Sequence, residues 1–376
     1  MTYHIAIVGA GIVGLAHAVA AVRRGLSAVV IERDARPIGA SIRNFGFVTV
    51  TGQRRGETWS RARRSAQVWS EIAPRAGIAV EHRGLLVLAR RPEAATVLEA
   101  FAATEMGEAC ALLSSEETRT RHPDLNPDTL AASLWSPHDL RVESRLAIPA
   151  LVKWLEAQGV EFQFSTAVHG VEAPVVETSR GGVRAECVAV CPGDDFSTLY
   201  PKTIANYGVT RCILQMLRLE SPGFTLPGSI MSDLSLVRYR GYADLPESAP
   251  LRQRLSCEQD RELAHGIHLI AVQSADGSLV VGDSHHYGAA PEPFAASEVE
   301  DLMLREAKAT MGVAPAVRER WTGTYASAAQ DMFRATPAQG VRMVMVTSGT
   351  GASTAFAIAE ETLLDLFGPS PEKALP

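Results

Sequence analysis

Three glycines near the start of the chain constrain its fold more than any other feature. Residues 5–14 read IAIVGAGIVG, an apolar segment that leads into the spacing G-x-G-x-x-G. In a strand–helix–strand unit the first glycine of this pattern allows a tight turn, the second lets the backbone approach a pyrophosphate, and the third allows the helix to pack closely on the strand. The helix that follows presents free N–H groups and the positive end of its dipole to phosphates. The residues predicted to form this dinucleotide site are Gly9, Gly11, Ile12, Val13 and Gly14.

An acidic residue ends the second apolar segment of the same unit. Residues 28–31 are followed by Glu32, 18 positions after Gly14. A carboxylate at this place binds the ribose hydroxyls of an adenosine and repels a 2′-phosphate. The unit therefore predicts NAD or FAD rather than NADP.

The composition excludes several classes of partner. The chain has 376 residues, 36 basic and 42 acidic side chains and a net charge of −6. This charge gives no basis for binding nucleic acid or an anionic membrane. No run of 18 apolar residues is present, so no membrane span is predicted. Five scattered cysteines and no recognisable targeting segment predict a cytoplasmic protein, and no metal site is predicted because Cys187 and Cys191 lack further ligands.

The order of predicted elements indicates an α/β fold with a β-rich insertion. We expect a Rossmann-type nucleotide-binding domain of residues 1–84, 141–210 and 318–376. Residues 85–140 and 211–317 are expected to form a second domain built on a mixed or antiparallel sheet, with strands at 211–219, 235–242, 267–272 and 278–283. An Asp-Gly turn at 275–278 predicts a hairpin between the last two.

A second glycine-rich turn near the end of the chain distinguishes between the cofactors. The apolar segment 343–347 leads into SGTGAS at 348–353, and a helix follows. This places another helix N-terminus at a polar ligand. An NAD enzyme rarely needs a second helix N-terminus at its cofactor. The flavin ring, in contrast, becomes electron-rich on reduction and is stabilised by the positive end of a helix dipole. The pattern favours FAD.

At this point the chain resembles the FAD-dependent amino acid and amine oxidoreductases of the D-amino acid oxidase superfamily, which includes glycine oxidase and sarcosine oxidase. The resemblance covers essentially the whole length and rests on both glycine turns, on GAS at 39–41 with RNFG at 43–46, on CPG at 191–193 and on WTG at 321–323. It implies non-covalent FAD beneath a roof formed by the second domain's mixed sheet. Besides the first glycine turn, the residues that it implies at the cofactor are Glu32, Arg33, Ser41, Arg43, Asn44, Phe45, Gly46, Val168, Gly193, Gly349, Thr350, Gly351, Ser353 and Thr354.

One departure from that family bears on the substrate. Several members carry an arginine that holds the substrate carboxylate after the Trp-x-Gly motif, and Tyr325 stands there in this chain. A phenol does not replace a bidentate guanidinium, so an ordinary α-amino acid is disfavoured. Arg238 and Arg240, expected on one face of a strand, and the histidines at 285–286 could hold another anion. With this pattern the chain most resembles the branch associated with aminophosphonate breakdown. The expected substrate-binding residues are Tyr325, His286, Arg240, Tyr239 and Asn44.

The expected reaction is oxidation of the C–N bond of a small amine, such as 2-aminoethylphosphonate or its N-methyl form. A hydride passes to the flavin, water hydrolyses the imine to an aldehyde and an amine, and no dedicated base is required if the amine binds deprotonated. Dioxygen or another acceptor reoxidises the flavin. The alternatives are a glycine- or sarcosine-type amino acid oxidase, a 2-hydroxy acid oxidoreductase, a tRNA-modifying flavoprotein, which the acidic composition disfavours, and a non-catalytic flavin-binding module.

Overall fold

The computed structural model describes residues 2–369, and within them the chain forms seventeen strands and eleven α-helices. The strands are β1 (Thr2–Val8), β2 (Ala28–Ile31), β3 (Phe47–Val48), β4 (Val80–Ala89), β5 (Ala111–Ser114), β6 (Ala132–Val142), β7 (Glu161–Gln163), β8 (Val168–Glu172), β9 (Val175–Thr178), β10 (Gly181–Val190), β11 (Thr210–Leu219), β12 (Ser229–Ser232), β13 (Ile270–Gln273), β14 (Leu279–Gly282), β15 (His286–Gly288), β16 (Val317–Ala335) and β17 (Val341–Ser348). The helices are α1 (Ile12–Arg23), α2 (Glu57–Ile72), α3 (Pro92–Ala102), α4 (Ser115–Arg121), α5 (Ser144–Ala157), α6 (Pro201–Ala205), α7 (Arg240–Ala243), α8 (Ser248–Glu258), α9 (Asp260–Ala264), α10 (Ser297–Met311) and α11 (Gly351–Phe367). Short 3₁₀ helices span Ala40–Ile42, Glu105–Gly107 and Asp233–Val237.

A parallel sheet built from distant parts of the chain carries the first glycine turn. Its strand order is β7-β2-β1-β10-β17, and every neighbouring pair is parallel. The sheet is apolar on both faces, as the continuous hydrophobic runs of its strands predict. Helices α1, α2, α5 and α11 bury one face, and the β8–β9 hairpin with part of β16 covers the other. The carboxyl ends of β1 and β17 lead directly into α1 and α11, so both glycine turns lie at one edge.

The second sheet has the order β5-β6-β4-β12-β13-β14-β11-β16 and is antiparallel except for the pair β4–β12. Its core includes Leu86, Ile230 and Val281, with Phe101 and Leu302 from the helices α3 and α10. Strand β16 pairs first with β11 and then with β17, which joins the two sheets. The predicted α/β fold with a Rossmann-type unit and a mixed second sheet is confirmed. The exact domain boundaries stay a proposal, and residues 370–376 of the first lie outside the described part of the chain.

Two sequence predictions about the second sheet have opposite outcomes. The hairpin turn at 275–278 is confirmed, because it joins β13 to β14 in antiparallel register. The prediction of a strand at 235–242 is wrong, because the segment forms a 3₁₀ helix, Asp233–Val237, followed by α7. Its backbone bonds are local, since the N–H groups of Arg238 and Tyr239 donate to Ser235 O at 3.2 and 2.9 Å. Tertiary packing overrides the β-type composition here, because Gly241 lies directly against the backbone of residues 52–53.

Within residues 2–369, none of the helices combines the length and the apolar character that crossing a membrane requires.

Candidate active site

The two glycine turns open onto one elongated cavity of about 410 Å³, here called the glycine cavity. It runs from the carboxyl ends of β1 and β2 along the start of α1 to the start of α11. A crevice at this edge of a parallel sheet is where such folds bind ligands. Most of the residues predicted to bind the cofactor line it: Gly9, Gly11, Ile12, Val13, Gly14, Glu32, Arg33, Ser41, Arg43, Asn44, Val168, Gly193, Gly349 and Gly351.

Close packing explains the glycines at positions 9 and 14. Gly9 has a φ of +100°, and a Cβ atom there would lie 2.5 Å from Cys191 O. A Cβ on Gly14 would lie 1.9 Å from Gly9 O. Neither position accommodates a side chain without moving the backbone. Gly11 differs, because its φ is −68° and a Cβ would meet only Ser41 Oγ, at 3.2 Å. Gly11 therefore keeps open the space above the helix start, as expected for close approach of a ligand.

The starts of α1 and α11 make the glycine cavity attractive to anions. Neither helix carries an acidic side chain in its first turn. The positive dipole end and free N–H groups of each are therefore not neutralised by the protein. Ser41 Oγ accepts a hydrogen bond from Ile12 N at 2.8 Å, and Ser348 Oγ lies 2.7 Å from Thr350 Oγ1 at the other helix start. This donor set fits the pyrophosphate at α1 and the electron-rich edge of a reduced flavin at α11.

Two backbone N–H groups hold the Glu32 carboxylate in place. Its Oε2 accepts a hydrogen bond from Ala10 N at 2.8 Å, and its Oε1 accepts one from Asp34 N at 3.1 Å. Each carboxylate oxygen retains a second lone pair for a ribose hydroxyl. The neighbouring Arg33 instead points its guanidinium to Asp195 Oδ2, at 2.8 Å. Glu32 thus fits an adenosine ribose, and the residues present fit FAD.

The loop after the first unit is shaped by Asn44. Its Nδ2 donates to the carbonyl oxygens of Ala40 and Ser41, and its Oδ1 accepts from Gly46 N and from Ser144 Oγ at 2.7 and 2.6 Å. The amide is therefore engaged within the loop, although it lines the cavity. Five other predicted cofactor residues do not line it; Phe45, Thr350 and Ser353 line a neighbouring cavity, and Gly46 and Thr354 line neither. Gly46 is packed against Val142 O, and Thr354 Oγ1 donates to Thr350 O.

A second cavity of about 300 Å³, here called the charged cavity, adjoins the first below the second sheet. The two share Asn44, Tyr325, Ala326, Gly349 and Ala352, so they meet at the start of α11. Phe45, Thr350 and Ser353 line the charged cavity, and Ser353 Oγ accepts a hydrogen bond from Thr49 N at 2.9 Å. Its wall on the second-sheet side carries most of the charge and aromatic surface: Arg238, Tyr239, Arg240, His268, Asp283, His285 and Tyr287.

The structure rearranges the predicted substrate-binding residues. Tyr325 and Tyr239 line the charged cavity. Arg240 reaches it only from the exposed rim and is paired with Asp244, with Nε 3.2 Å from Oδ2. Arg238 and Arg240 do not share a strand face, because that strand does not form. His286 is not among the lining residues, and its ring packs near His265 at 5.4 Å, whereas the adjacent His285 faces the cavity.

A buried His–Asp–His cluster was missed as a unit from the sequence. His268 Nε2 lies 2.9 Å from Asp283 Oδ1, and His285 Nε2 lies 3.9 Å from Asp283 Oδ2. The available signal was a pair of polar residues interrupting apolar segments, at His268 and at Asp283. Pairing of β13 with β14 brings them together across the sheet.

The charge states within the cluster follow from burial and from Arg238. Burial lowers the pKa of His285 well below its ordinary value and also lowers the pKa of His268, and in both cases the charge of Arg238 adds to this against the opposing effect of Asp283. Burial acts to raise the pKa of Asp283, but the two histidines and Arg238 hold it below its ordinary value. At neutral pH the cluster therefore comprises one carboxylate and two neutral imidazoles.

The ligand atoms of His268, Asp283 and His285 all lie within 4.8 Å of one another. A nearby cation opposes the binding of a metal ion, and Arg238 supplies one. His268 Nε2 already lies within ion-pair distance of Asp283 Oδ1, at 2.9 Å. We interpret the cluster as a proton-handling group, and the absence of a metal site stays a prediction.

Comparison with known proteins agrees with this architecture. Glycine oxidase from Geobacillus kaustophilus superposes with a TM-score of 0.77 over 97% of this chain and 94% of its own, at 17% identity. L-proline dehydrogenase from P. horikoshii gives 0.78 over 100% and 95%, at 18% identity. FAD-bound L-α-glycerophosphate oxidase from Mycoplasma pneumoniae gives 0.76 over 100% and 97%, at 16% identity. At these identities the similarity shows the fold.

A sequence search of curated proteins finds no match. The family model described as FAD dependent oxidoreductase (DAO) matches residues 4–363, nearly the whole chain, including both glycine turns and both cavities. The chain is therefore an FAD-dependent oxidoreductase and belongs to the DAO family.

Proposed function

We propose that this enzyme oxidises the C–N bond of a small amine that carries a phosphonate, such as 2-aminoethylphosphonate or its N-methyl derivative, to an aldehyde and an amine. The observation that carries the proposal is a guanidinium in the charged cavity that is not directly paired with a carboxylate, although Asp283 lies close enough to interact with its charge. Within residues 2–369, Arg238 has no carboxylate within ion-pair distance, whereas Arg240 is paired with Asp244. A half-buried cation that lacks a directly paired carboxylate is a site for a ligand's anion.

Two phenols flank that guanidinium and complement a tetrahedral anion. Arg238 Nη2 donates to Tyr287 Oη at 2.9 Å, and Tyr239 lines the same cavity. Burial raises the pKa of Tyr239 and of Tyr287, so both stay protonated and can donate hydrogen bonds to an oxyanion. A phosphonate offers three oxygens to such donors, whereas a carboxylate offers two.

Tyr325 lines both cavities, and it follows the Trp-x-Gly motif at the sequence position where several family members are expected to carry a carboxylate-binding arginine. Its Oη lies 3.4 Å from Ala40 O, and burial raises its pKa, so it is a neutral phenol. One phenol supplies one hydrogen bond in place of a charged pair. This supports a substrate whose anion is held farther from the α-carbon than in an α-amino acid.

The two cavities assign separate roles to the cofactor and to the protein's residues. The residues of the glycine cavity would hold FAD, which would supply the hydride acceptor for the carbon next to the substrate nitrogen. The protein's residues bind and orient the substrate: Arg238, Tyr239 and Tyr287 hold the anion, and Tyr325 closes the passage between the cavities. Reoxidation by dioxygen or by another acceptor completes the cycle.

Steady-state turnover tests the substrate class. We expect kcat/KM for 2-aminoethylphosphonate or its N-methyl form to exceed that for glycine, sarcosine and D-alanine. A substrate that lacks one desolvated anion contact loses about 2–4 kcal/mol of transition-state binding, which lowers kcat/KM by about 30- to 1000-fold. The panel is compared on the wild-type enzyme in one buffer. Faster turnover of sarcosine or a D-amino acid would contradict the phosphonate substrate and would favour an ordinary amino acid oxidase.

The mode of flavin attachment has a direct test. We expect one FAD for each chain, bound without a covalent link. Denaturation followed by filtration should release the colour, and chromatography should identify the released compound as FAD. Colour that stays with the denatured protein, or release of FMN, contradicts the expectation.

Glu32→Ala is expected to weaken FAD binding without abolishing it. Loss of charge-assisted hydrogen bonds to the ribose costs about 1.5–3 kcal/mol, which corresponds to about 10- to 150-fold in Kd. Titration of the apoprotein with FAD measures the change. Glu32→Gln retains one oxygen acceptor and serves as the control with a smaller loss. An unchanged Kd for Glu32→Ala would show that this carboxylate does not contact the ribose.

A further inference from the structure

The neutral tautomer of His285 is fixed by its surroundings. Its Nδ1 lies 3.0 Å from Gly266 O. A carbonyl oxygen only accepts hydrogen bonds, so Nδ1 carries the hydrogen and Nε2 keeps its lone pair. The ring lines the charged cavity, into which Tyr325 and the start of α11 also project. His285 therefore presents a basic nitrogen to the compartment in which we place the substrate.

Asp283 is positioned to stabilise a proton on that nitrogen. One of its oxygens lies 2.9 Å from His268 Nε2, and the other lies 3.9 Å from His285 Nε2. The two imidazole rings stack, with centroids 5.1 Å apart and planes at 26°, and Tyr239 packs its ring edge-on against His268 at 5.4 Å. His268 thus orients the carboxylate, and an imidazolium at His285 would face a fixed negative charge.

Four groups on three segments face His285; the charges of three of them act on its basicity, and the Tyr287 ring stacks on it. They are Asp283 before β15, Tyr287 within it, His268 before β13 and Arg238 before α7. Burial and the Arg238 charge both lower the pKa of His285, which keeps the ring neutral in the resting enzyme. A substrate anion that pairs with Arg238 would remove the second of these causes. Binding of the substrate's anion then raises the basicity of His285.

We propose that His285 Nε2 accepts the proton of the substrate's ammonium group, with Asp283 and His268 as positioning residues. The inference rests on the proposed function. An alkylamine is an ammonium ion at neutral pH, and its nitrogen has no lone pair with which to form a C=N bond. In the step an N–H bond breaks, its electron pair stays on nitrogen, and the proton moves to Nε2. The neutral amine can then release hydride, and His285 returns its proton to solvent after the product leaves. The reaction expected from the sequence did not include this base.

The test is anaerobic reduction of the enzyme-bound flavin by subsaturating 2-aminoethylphosphonate, followed across pH in the holoenzyme. We expect His285→Gln to slow reduction about 100-fold or more at neutral pH. The deficit should shrink by about tenfold per pH unit towards the amine's own pKa, about 10, because the free amine then binds directly. His286→Gln is the matched control, since this adjacent ring does not line the cavity, and it should follow the wild-type profile.

Two further variants distinguish loss of proton transfer from loss of folding. His285→Ala should regain activity at neutral pH when imidazole is added, and Asp283→Asn should show the same convergence with wild type at high pH. A ratio of wild-type to His285→Gln rates that stays constant across pH overturns the role of His285 as base, as does the absence of imidazole rescue in a flavin-loaded His285→Ala enzyme. If no amine reduces the wild-type flavin, the proposed function fails and this inference fails with it. If amines reduce the wild-type flavin but the His285 variants show no pH-dependent deficit, only this inference fails. The two failures are therefore distinguishable.

Discussion

Gly11→Val is expected to yield a folded protein without bound FAD. Gly11 has an ordinary φ of −68°, so valine strains no backbone there, but its side chain occupies the opening above the start of α1. A Cβ alone would lie 3.2 Å from Ser41 Oγ, and the γ carbons reach farther. Overpacking costs about 1–3 kcal/mol, and each lost hydrogen bond to a charged phosphate costs about 1.5–3 kcal/mol more. With one hydrogen bond lost the combined cost is about 2.5–6 kcal/mol, which corresponds to a loss of about 70- to 25,000-fold in affinity.

The measurement is the visible flavin absorbance of the purified variant, together with its thermal unfolding. Gly182→Val is the matched control, because Gly182 is exposed on β10 and a Cβ there would meet only Val175 Cγ1 at 3.9 Å. The control should keep full flavin content. Isolation of Gly11→Val with full flavin content would show that the cofactor does not approach this turn.

Arg238→Met is expected to lower kcat/KM for the aminophosphonate by about 30- to 1000-fold, while FAD remains bound. The reason is loss of a charged-cavity guanidinium that, in the described part of the chain, has no carboxylate within ion-pair distance, a change of about 2–4 kcal/mol. Arg240→Met is the matched comparison. That guanidinium is exposed and paired with Asp244, so its contribution is about 0–1 kcal/mol.

Steady-state kinetics of both variants with charged and uncharged amines checks this expectation. An amine without the anion should respond little to Arg238→Met, because it has nothing for the guanidinium to bind. Equal losses for both kinds of amine would show that Arg238 supports the structure of the cavity rather than the anion. Greater loss in Arg240→Met would place the anion at the rim.

Local patterns were sufficient to predict FAD and the Rossmann-type unit, because the sequence signals for both are contiguous. The first glycine turn and Glu32 fall within one strand–helix–strand unit, and the Asp-Gly turn at 275–278 fixes its own hairpin. The turn before α11 lies at the same sheet edge because β10 and β17 are parallel neighbours in that sheet. Here local sequence and tertiary structure favour the same conformation.

The substrate side was harder to predict because it depends on side-chain direction and on long-range pairing. His285 and His286 are adjacent, and neighbouring residues in extended chain face opposite sides, so an error of one residue selects the wrong ring. Arg238 was expected on a strand that packing against residues 52–53 replaces with helical turns. The Asp-Gly turn predicts the pairing of β13 with β14 that brings His268 to Asp283, but it does not predict that His285 joins them in one buried cluster.

We propose that an amine bearing a phosphonate reduces the flavin of this protein. The most direct measurement is anaerobic mixing of the holoenzyme with equal concentrations of 2-aminoethylphosphonate, its N-methyl form, glycine, sarcosine, D-alanine and 2-hydroxyglutarate, with the flavin absorbance followed over time. The account predicts that the aminophosphonates bleach the flavin fastest and that the hydroxy acid leaves it oxidised. Bleaching by the hydroxy acid but by none of the amines would contradict it.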